Sequence, residues 1–196
     1  MANFRIIEFN GIKLCLNENT YEPAEDTELL LRIIKIQKGD KVLDMGSGSG
    51  ILGIYALKLG GKVIFIDINP YATLSTLCSL GLNRLDDKDY NIINCNLLDC
   101  IREEKFDVAI FNPPYLPFEE YDSWIGYSWS GGKNGSDIII KFLREIKSKR
   151  VYILYSSLSD EDSILTEIKR REYIISQKYE RVIGYERLVA LELIRK

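Results

Sequence analysis

Short runs of β-branched and aromatic residues alternate along this chain with segments whose apolar residues recur at helical spacing. This alternation predicts βαβ units, and therefore a mostly parallel sheet with helices on both faces. The predicted strands are 41–45, 62–66, 91–95, 106–111, 151–155, 173–179 and 188–194, and the predicted helices are 24–36, 51–59, 70–83, 137–147 and 160–171. The last two strands are expected to pair antiparallel. The expectation is a doubly wound α/β sheet of seven strands, whose ligands bind beyond the carboxyl ends of the strands.

The length and the charge balance limit the class of protein. A chain of 196 residues favours one domain, and it buries roughly 70% of its unfolded surface without a disulfide or metal staple. The 26 lysines and arginines against 29 aspartates and glutamates give a net charge of −3. A protein whose main role is to bind duplex nucleic acid usually carries an excess of positively charged residues instead. Direct nucleic-acid binding is therefore not expected.

The cysteines and the missing histidine argue against a resident metal. The cysteines are Cys15, Cys78, Cys95 and Cys100, and no two of them form a C-x-x-C pair. The chain contains no histidine, which removes the commonest transition-metal ligand and the commonest general base. No metal site is expected, and the cysteines are expected to be reduced.

Neither a targeting segment nor a membrane span is predicted. Residues 1–10 lack the basic region and apolar core of a signal peptide. The longest uncharged stretch, 68–83, is too short and too polar to cross a bilayer. The expected location is the cytoplasm.

A glycine-rich turn at 46–50 follows the first predicted strand of the sheet. Its spacing is G-x-G-x-G rather than the G-x-G-x-x-G of dinucleotide-binding proteins. Glycines permit a sharp turn and a close ligand, and the next helix offers free N–H groups. Asp67 ends the following strand, where an acid can accept hydrogen bonds from ribose hydroxyls. A purely structural turn and a helix-capping role for Asp67 remain open at this point, because the two features indicate only a nucleoside cofactor.

The motif Asn112-Pro113-Pro114-Tyr115 ends the fourth predicted strand. The prolines fix the backbone, so that the Asn112 side-chain oxygen and the Pro113 carbonyl form two rigid acceptors. Together they can hold both hydrogens of one planar NH₂ group, while Tyr115 offers a flat face for stacking. Acceptors in this position stabilise the positive charge that develops on a nitrogen as it is methylated. This interpretation makes Asn112, Pro113 and Tyr115 the candidate catalytic residues, and all four residues of the motif the substrate-binding set.

The order of these motifs resembles that of the release-factor glutamine methyltransferase family. The resemblance covers nearly the whole chain and is most restrictive in the Tyr-Glu-Pro-Ala-Glu-Asp-Thr segment at 21–27 and the Gly-Gly-Lys-Asn-Gly segment at 131–135. More narrowly, the chain is similar to the short archaeal and eukaryotic branch. The resemblance implies a class I, Rossmann-like S-adenosylmethionine methyltransferase fold. It also implies N5-methylation of the glutamine in the Gly-Gly-Gln loop of a translation termination factor.

The resemblance further implies roles for single residues. The implied cofactor-binding set is Thr27, Asp44, Gly46, Ser47, Gly48, Asp67, Asn96 and Leu97, with Asp44 beneath the loop and the last two near the adenine. Asn96 stands where relatives often carry an acid. The single domain would then comprise an N-terminal segment and helix (1–37), a cofactor-binding half (38–111) and a substrate-binding half (112–196). The aromatic residues of the 116–135 loop receive no individual role.

The family resemblance also implies a small zinc-containing activator protein, bound along the sheet edge as a heterodimer. The uncharged stretch 68–83 agrees, because a charge-free helix face is common at protein interfaces. Four rival functions remain open: N6-adenine methylation of DNA or RNA, protein lysine methylation, a non-catalytic cofactor-binding subunit, and a nicotinamide oxidoreductase. The last lacks both its glycine fingerprint and an acid/base residue for hydride chemistry.

Overall fold

The computed structural model describes residues 3–102 and 105–196. The strands are β1 (Arg5–Phe9), β2 (Ile12–Leu16), β3 (Lys41–Met45), β4 (Lys62–Asp67), β5 (Tyr90–Asn94), β6 (Phe106–Phe111), β7 (Ser148–Ser156), β8 (Tyr173–Ile183) and β9 (Glu186–Arg195). The helices are α1 (Glu25–Ile33), α2 (Ile51–Lys58), α3 (Pro70–Leu82), α4 (Trp124–Tyr127), α5 (Asp137–Glu145) and α6 (Glu161–Arg170).

Within the described ranges, seven strands form one sheet in the order β5-β4-β3-β6-β7-β9-β8. Strands β3 to β7 pair in parallel, whereas β9 runs antiparallel to both β7 and β8. One apolar cluster lies on the face that packs α1, α2 and α3, and a second lies on the face that packs α5 and α6. The prediction of a doubly wound, mostly parallel sheet with a C-terminal antiparallel pair is confirmed. Its carboxyl edge brings together residues that are far apart in sequence.

Tertiary contacts shift the ends of some predicted helices and strands. Helix α1 ends at Ile33, three residues early, because the chain turns extended at Ile34 and the Lys35 N–H donates to the Tyr152 hydroxyl at 3.1 Å. Strand β7 is longer than predicted at both ends, and the predicted loop 116–135 contains the short helix α4. Such changes depend on contacts between distant residues, which local patterns do not record.

An N-terminal hairpin, β1 with β2, was not predicted. Its turn is Asn10-Gly11, with φ angles of 49° and 72°. Two consecutive positive φ angles are what a two-residue hairpin turn requires, and Asn-Gly is its commonest sequence. The hairpin packs on α3, where the Cys15 N–H donates to the Ser79 hydroxyl at 2.9 Å.

Helix α3 faces the opposite way from the usual amphipathic arrangement. Its small residues Ala72, Ser75, Thr76 and Ser79, together with Leu80, are buried, whereas Tyr71, Leu74 and Leu77 are 40%, 46% and 53% exposed. Hydroxyl groups bond to the neighbouring elements on the buried side, as in the 3.0 Å contact between Ser75 and Thr20. The sequence pattern places Tyr71, Leu74, Leu77, Cys78 and Leu80 on one face and leaves the hydroxyl residues on a neutral outer face. That assignment is wrong, because small hydroxyl side chains allow the hairpin to approach closely.

The cysteines are paired in the structure, Cys15 with Cys78 and Cys95 with Cys100. The Cα atoms of the first pair lie 5.8 Å apart although 63 residues separate them along the chain, because the hairpin packs on α3. The expectation of reduced cysteines is therefore wrong. Chain spacing identifies metal-binding pairs but does not show which thiols the fold brings together.

Candidate functional site

A cavity of about 490 Å³ lies at the carboxyl ends of β3, β4 and β6, the edge at which the sequence places the ligand. This volume is in the range of small-molecule sites. The predicted site residues that line it are Thr27, Gly46, Ser47, Gly48, Asp67, Asn96, Leu97, Asn112, Pro113, Pro114 and Tyr115. Residues predicted from separate motifs thus share one cavity.

Asp44 is the predicted site residue that does not line this cavity. Its carboxylate is 1% exposed and accepts a 2.8 Å hydrogen bond from the Gly53 N–H in α2. Burial raises the pKa of this carboxyl well above its ordinary value, and the nearby Asp67 raises it further. Asp44 therefore lies beneath the glycine loop and joins β3 to α2, and direct contact with a cofactor stays a prediction for it.

The glycine loop is held so that its backbone faces the cavity. Gly46 has a φ of 62°, and a Cβ there would lie 3.0 Å from the Phe111 ring, so the backbone passes where a side chain has no room. The Ser47 N–H donates to the Ile66 carbonyl at 3.0 Å. The buried Ser49 hydroxyl has no hydrogen-bond partner. An unsatisfied buried hydroxyl on a cavity wall is costly unless a ligand supplies its partner.

Asp67 is the last residue of β4, and its carboxylate reaches the backbone of the glycine loop. Its two oxygens accept hydrogen bonds of 2.8 Å each, one from the Gly48 N–H and one from the Asn69 N–H. Burial raises the pKa of this carboxyl to about 6, although both N–H groups act to lower it. Asp67 is both bonded to backbone and part of the cavity wall, which agrees with the two roles that the sequence left open.

The segment after β5 forms a second part of the wall. Leu97 is buried and has a φ of 46°, a left-handed conformation that is strained for a leucine. The Asn96 amide nitrogen donates to the Asp99 carboxylate at 3.1 Å, which leaves the Asn96 oxygen available as an acceptor. The Cys95–Cys100 disulfide joins the two ends of the 95–100 segment.

Asn112 presents a buried oxygen that has no hydrogen-bond partner. Its amide nitrogen donates to Asp26 Oδ2 at 2.9 Å and lies 3.4 Å from the Thr27 hydroxyl. Both hydrogens are thus directed at α1, and the acceptor oxygen is left over. The side chain is therefore prepared to accept from a donor that enters the cavity.

The Asn-Pro-Pro-Tyr turn is held in place by contacts with segments that follow it in the chain. The Tyr115 carbonyl accepts a 2.7 Å hydrogen bond from the Ser159 hydroxyl. A Cβ at Gly131 would lie 2.9 Å from the Pro114 carbonyl, and a Cβ at Gly135 would overlap the Tyr115 carbonyl. Burial raises the pKa of Tyr115, as does the nearby Asp26. The glycines at 131–135 are therefore needed for close packing on the Asn-Pro-Pro-Tyr turn.

The loop 116–135 covers one side of the cavity with aromatic rings that contact one another at tilted angles. The Tyr121 and Trp124 rings lie 4.9 Å and 5.4 Å from the Tyr127 ring, and all three line the cavity. Trp129 also lines it and donates through its ring nitrogen to Glu120 at 3.1 Å. The aromatic residues that sequence reasoning left unassigned thus form part of the wall.

Tyr21, Asp26 and Ser49 are among the residues of this wall that sequence reasoning missed. The sequence pattern favours Asp26 as an acid at the positive end of α1, but it is 3% exposed and bonds to Asn112. Tyr21 donates to the same carboxylate at 3.1 Å. The 21–27 segment, in which the family resemblance is most restrictive, contains both Tyr21 and Asp26. It marks these residues as candidates but does not show that Asp26 bonds to Asn112.

Among residues 3–102 and 105–196, no three His, Cys, Asp or Glu side chains are grouped so that they could hold a metal ion. In the same part of the chain, no helix has the length and apolar character needed to span a bilayer.

Known proteins resemble this chain in sequence and in fold. Residues 22–124 match the family model described as methyltransferase small domain. A putative protein N5-glutamine methyltransferase of Methanocaldococcus jannaschii is 35% identical over 97% of this chain and 99% of its own. The methyltransferase HEMK2 of Homo sapiens is 28% identical over 90% of each chain.

A solved structure shares the fold. It is the E. cuniculi Mtq2–Trm112 complex, whose title describes it as responsible for methylation of the eRF1 translation termination factor. The aligned chain has a TM-score of 0.67 and 24% identity, and the alignment covers 91% of this chain and 99% of that one. At this identity the likeness concerns the fold alone.

Proposed function

The chain belongs to the methyltransferase small domain family, and from this membership we propose that it methylates a glutamine side chain of a translation termination factor with S-adenosylmethionine. The target is the glutamine of the Gly-Gly-Gln motif, modified at N5. One observation carries the choice of an amide substrate, the buried and unpartnered side-chain oxygen of Asn112, a residue of the cavity wall. The name of the Methanocaldococcus jannaschii relative, a putative protein N5-glutamine methyltransferase, supports the same class of substrate.

An amide nitrogen needs this arrangement because its lone pair is delocalised and it is a poor nucleophile. The Asn112 oxygen accepts one of its hydrogens, and the Pro113 carbonyl is the proposed acceptor for the other. As positive charge develops on the nitrogen, both acceptors stabilise it. They also fix the direction of the lone pair. Tyr115 stacks on the planar amide, and no strong base is needed, in keeping with a chain that has no histidine.

The cavity suits S-adenosylmethionine as the methyl donor. The residues proposed to hold it are Thr27, Gly46, Ser47, Gly48, Asp67, Asn96 and Leu97. The Asp67 carboxylate on the wall fits ribose hydroxyls, and the unpartnered Ser49 hydroxyl offers a further polar contact. When bound, the cofactor supplies a methyl group whose bond to sulfur breaks as its bond to nitrogen forms, and the nitrogen's proton passes to water.

Replacing Asp67 with alanine is expected to weaken S-adenosylmethionine binding by about 1.5–3 kcal/mol, the scale of a hydrogen bond to a charged group. Isothermal titration of the purified protein measures this change, and Asp67→Asn, which keeps one acceptor oxygen, should lose less. Thermal unfolding of both variants checks that the loop remains folded. Unchanged affinity in Asp67→Ala would reject the ribose role.

Cofactor affinity is also expected to depend on pH through Asp67. Its pKa of about 6 lies above the ordinary 3.8, so the folded protein keeps a proton between these values. Protonation removes an acceptor, so affinity should fall as the pH is lowered through 6, approaching about tenfold per unit below it. Titrations between pH 5 and 8 measure the slope. The Asp67→Asn variant should show a flat profile, and a flat wild-type profile would contradict the assignment.

The substrate is tested by methyl transfer from labelled S-adenosylmethionine to the termination factor of the same organism. A second copy of that factor carries Gly-Gly-Ala in place of Gly-Gly-Gln, and fragment mass spectrometry locates the mark. Label on the glutamine of the first copy and none on the second is the expected result. Intact cofactor binding without label on either copy would reject the proposed substrate, and parallel assays with nucleic acid and with lysine-containing peptides distinguish the alternatives.

The proposal includes a small zinc-containing activator bound at the exposed side of α3, in the cytoplasm. Tyr71, Leu74 and Leu77 expose their apolar side chains there, and edge strand β5 lies beside them. Exposed apolar residues on a helix without charge fit a protein partner. The Mtq2 chain of the solved complex is bound to a partner protein, Trm112.

Changing Leu77 to glutamate is expected to abolish the activator complex while leaving the fold intact, because the side chain is 53% exposed. Co-purification of the two proteins and methylation with added activator measure the effect. Leu59→Glu, which alters an exposed leucine at the end of α2, is the matched control. A chain that is monodisperse and fully active alone would reject the need for an activator.

A further inference from the structure

The carboxylate of Asp26 decides which way the Asn112 side chain is turned. We propose that Asp26 is a positioning residue that holds the Asn112 oxygen toward the substrate amide. This inference rests on the amide-holding role proposed above for Asn112, and it adds a residue that the sequence motifs did not assign to the reaction. Asp26 does not touch the reacting atoms in this proposal, because it acts through Asn112.

Both oxygens of the Asp26 carboxylate accept hydrogen bonds. Oδ2 accepts from the Asn112 amide nitrogen at 2.9 Å and from the Tyr21 hydroxyl at 3.1 Å. Oδ1 accepts from the Thr27 N–H at 2.6 Å and from the Thr27 hydroxyl at 3.2 Å. With the side chain 3% exposed, water does not readily replace these donors.

A carboxylate accepts hydrogen bonds and, in this form, donates none. If the Asn112 amide turned over, its oxygen would face Asp26 Oδ2 at 2.9 Å, acceptor against acceptor. Burial makes such a mismatch costly. The carboxylate therefore admits one orientation, in which the NH₂ group faces α1 and the oxygen is turned away from Asp26, buried and without a partner.

The substitution Asp26→Asn should reverse this orientation. The Thr27 backbone N–H only donates, so the oxygen of the introduced amide is expected to take the place of Oδ1 beside it. The NH₂ group of the introduced amide would then occupy the place of Oδ2 and face the Asn112 nitrogen, donor against donor. Asn112 relieves the conflict by turning over, which presents its own NH₂ group to the substrate amide and removes the acceptor.

An exchange of the two residues should restore the acceptor. In the double variant Asp26→Asn with Asn112→Asp, one oxygen of the carboxylate moved to position 112 accepts from the amide at position 26, while the other oxygen faces the cavity. In Asn112→Asp alone, two carboxylates meet at the 2.9 Å contact. Activity should therefore be low in both single variants and higher in the double variant, an outcome that simple loss of packing does not produce.

The experiment measures kcat and KM for glutamine methylation, together with cofactor affinity, in the wild type, both single variants and the double variant. The Asp26→Asn change should lower kcat about 100-fold with little change in KM or cofactor affinity, and the double variant should recover at least about tenfold. Glu25→Gln, an exposed acid one position earlier, is the control and should match the wild type. Wild-type kcat in Asp26→Asn, or no recovery in the double variant, would overturn the proposal.

A second measurement does not depend on activity. Solvent exchange of the Asn112 side-chain amide hydrogens, followed by NMR and assigned by their loss in Asn112→Ala, reports whether they face Asp26. They should be protected in the wild type and in Glu25→Gln, and exposed in Asp26→Asn. Rapid exchange in the wild type would overturn the proposal even if Asp26→Asn failed to fold. Protection in a wild type that does not methylate glutamine would instead reject the proposed substrate and leave the positioning role standing.

Discussion

Alanine at position 112 is expected to lower kcat by about 10²–10³ and to leave S-adenosylmethionine binding nearly unchanged. The magnitude is that of removing one preorganised hydrogen-bond partner of a developing charge. Asn112 Oδ1 is buried without a partner, and the residue's nitrogen, not its oxygen, bonds to the rest of the protein. Truncation therefore removes an acceptor that is used fully only as charge develops on the substrate nitrogen.

Single-turnover methylation of the termination factor measures this loss, and titration calorimetry measures cofactor affinity. Asn96→Ala provides the comparison, because Asn96 lines the same cavity on the proposed adenine side. It should weaken cofactor binding and spare kcat at saturating cofactor. Near-normal turnover in Asn112→Ala would show that the amide is held by other groups.

A methyl group at Gly53 is expected to destabilise the fold by about 3 kcal/mol, at the upper end of what overpacking a core costs. The added Cβ would overlap the Phe65 ring and lie 2.7 Å from Asp44 Oδ2. Both neighbours are fully buried in β4 and β3, and Asp44 is tied to the Gly53 N–H itself. Since neither can move without disturbing the sheet, α2 must shift away from it.

Chemical denaturation of Gly53→Ala measures the free energy of unfolding. Gly81→Ala is the matched control within a helix, because a Cβ there meets no atom within 4 Å and its φ is not positive. Alanine is the better helix former, so this variant should be stabilised by about 0.5–1 kcal/mol. Equal stability of the two variants would show that the space beside Gly53 is not limiting.

The sheet was predictable because its information is local. Most parallel strands are short apolar runs, and helices α1, α5 and α6 have a clear apolar period and acidic residues in their first turns. The ends of the strands then place the 46–50 loop, Asp67 and Asn112 at one edge, since parallel strands share their carboxyl side. The cavity lined by these residues agrees with that reasoning.

The unpredicted features depend on what distant segments do to one another. The buried side of α3 carries serines and threonines because β2 and the glycine loop supply partners for their hydroxyls. Those partners lie elsewhere in the chain, so the composition of the helix alone favoured the wrong face. The N-terminal hairpin differs from α3, because its Asn10-Gly11 turn is a local sequence signal for a two-residue hairpin. The role of Asp26, like the buried face of α3, depends on a distant segment, because Asp26 contacts Asn112 only where β6 ends beside α1.

The hydrogen bond between Asn112 and Asp26 joins residues 86 positions apart. Closing so long a loop costs chain entropy that only the completed sheet repays. Before α1 and the end of β6 pack together, Asp26 does not fix the orientation of the Asn112 amide. Under the role proposed for Asn112, the ability to hold an amide is therefore expected only once α1 and the end of β6 lie side by side.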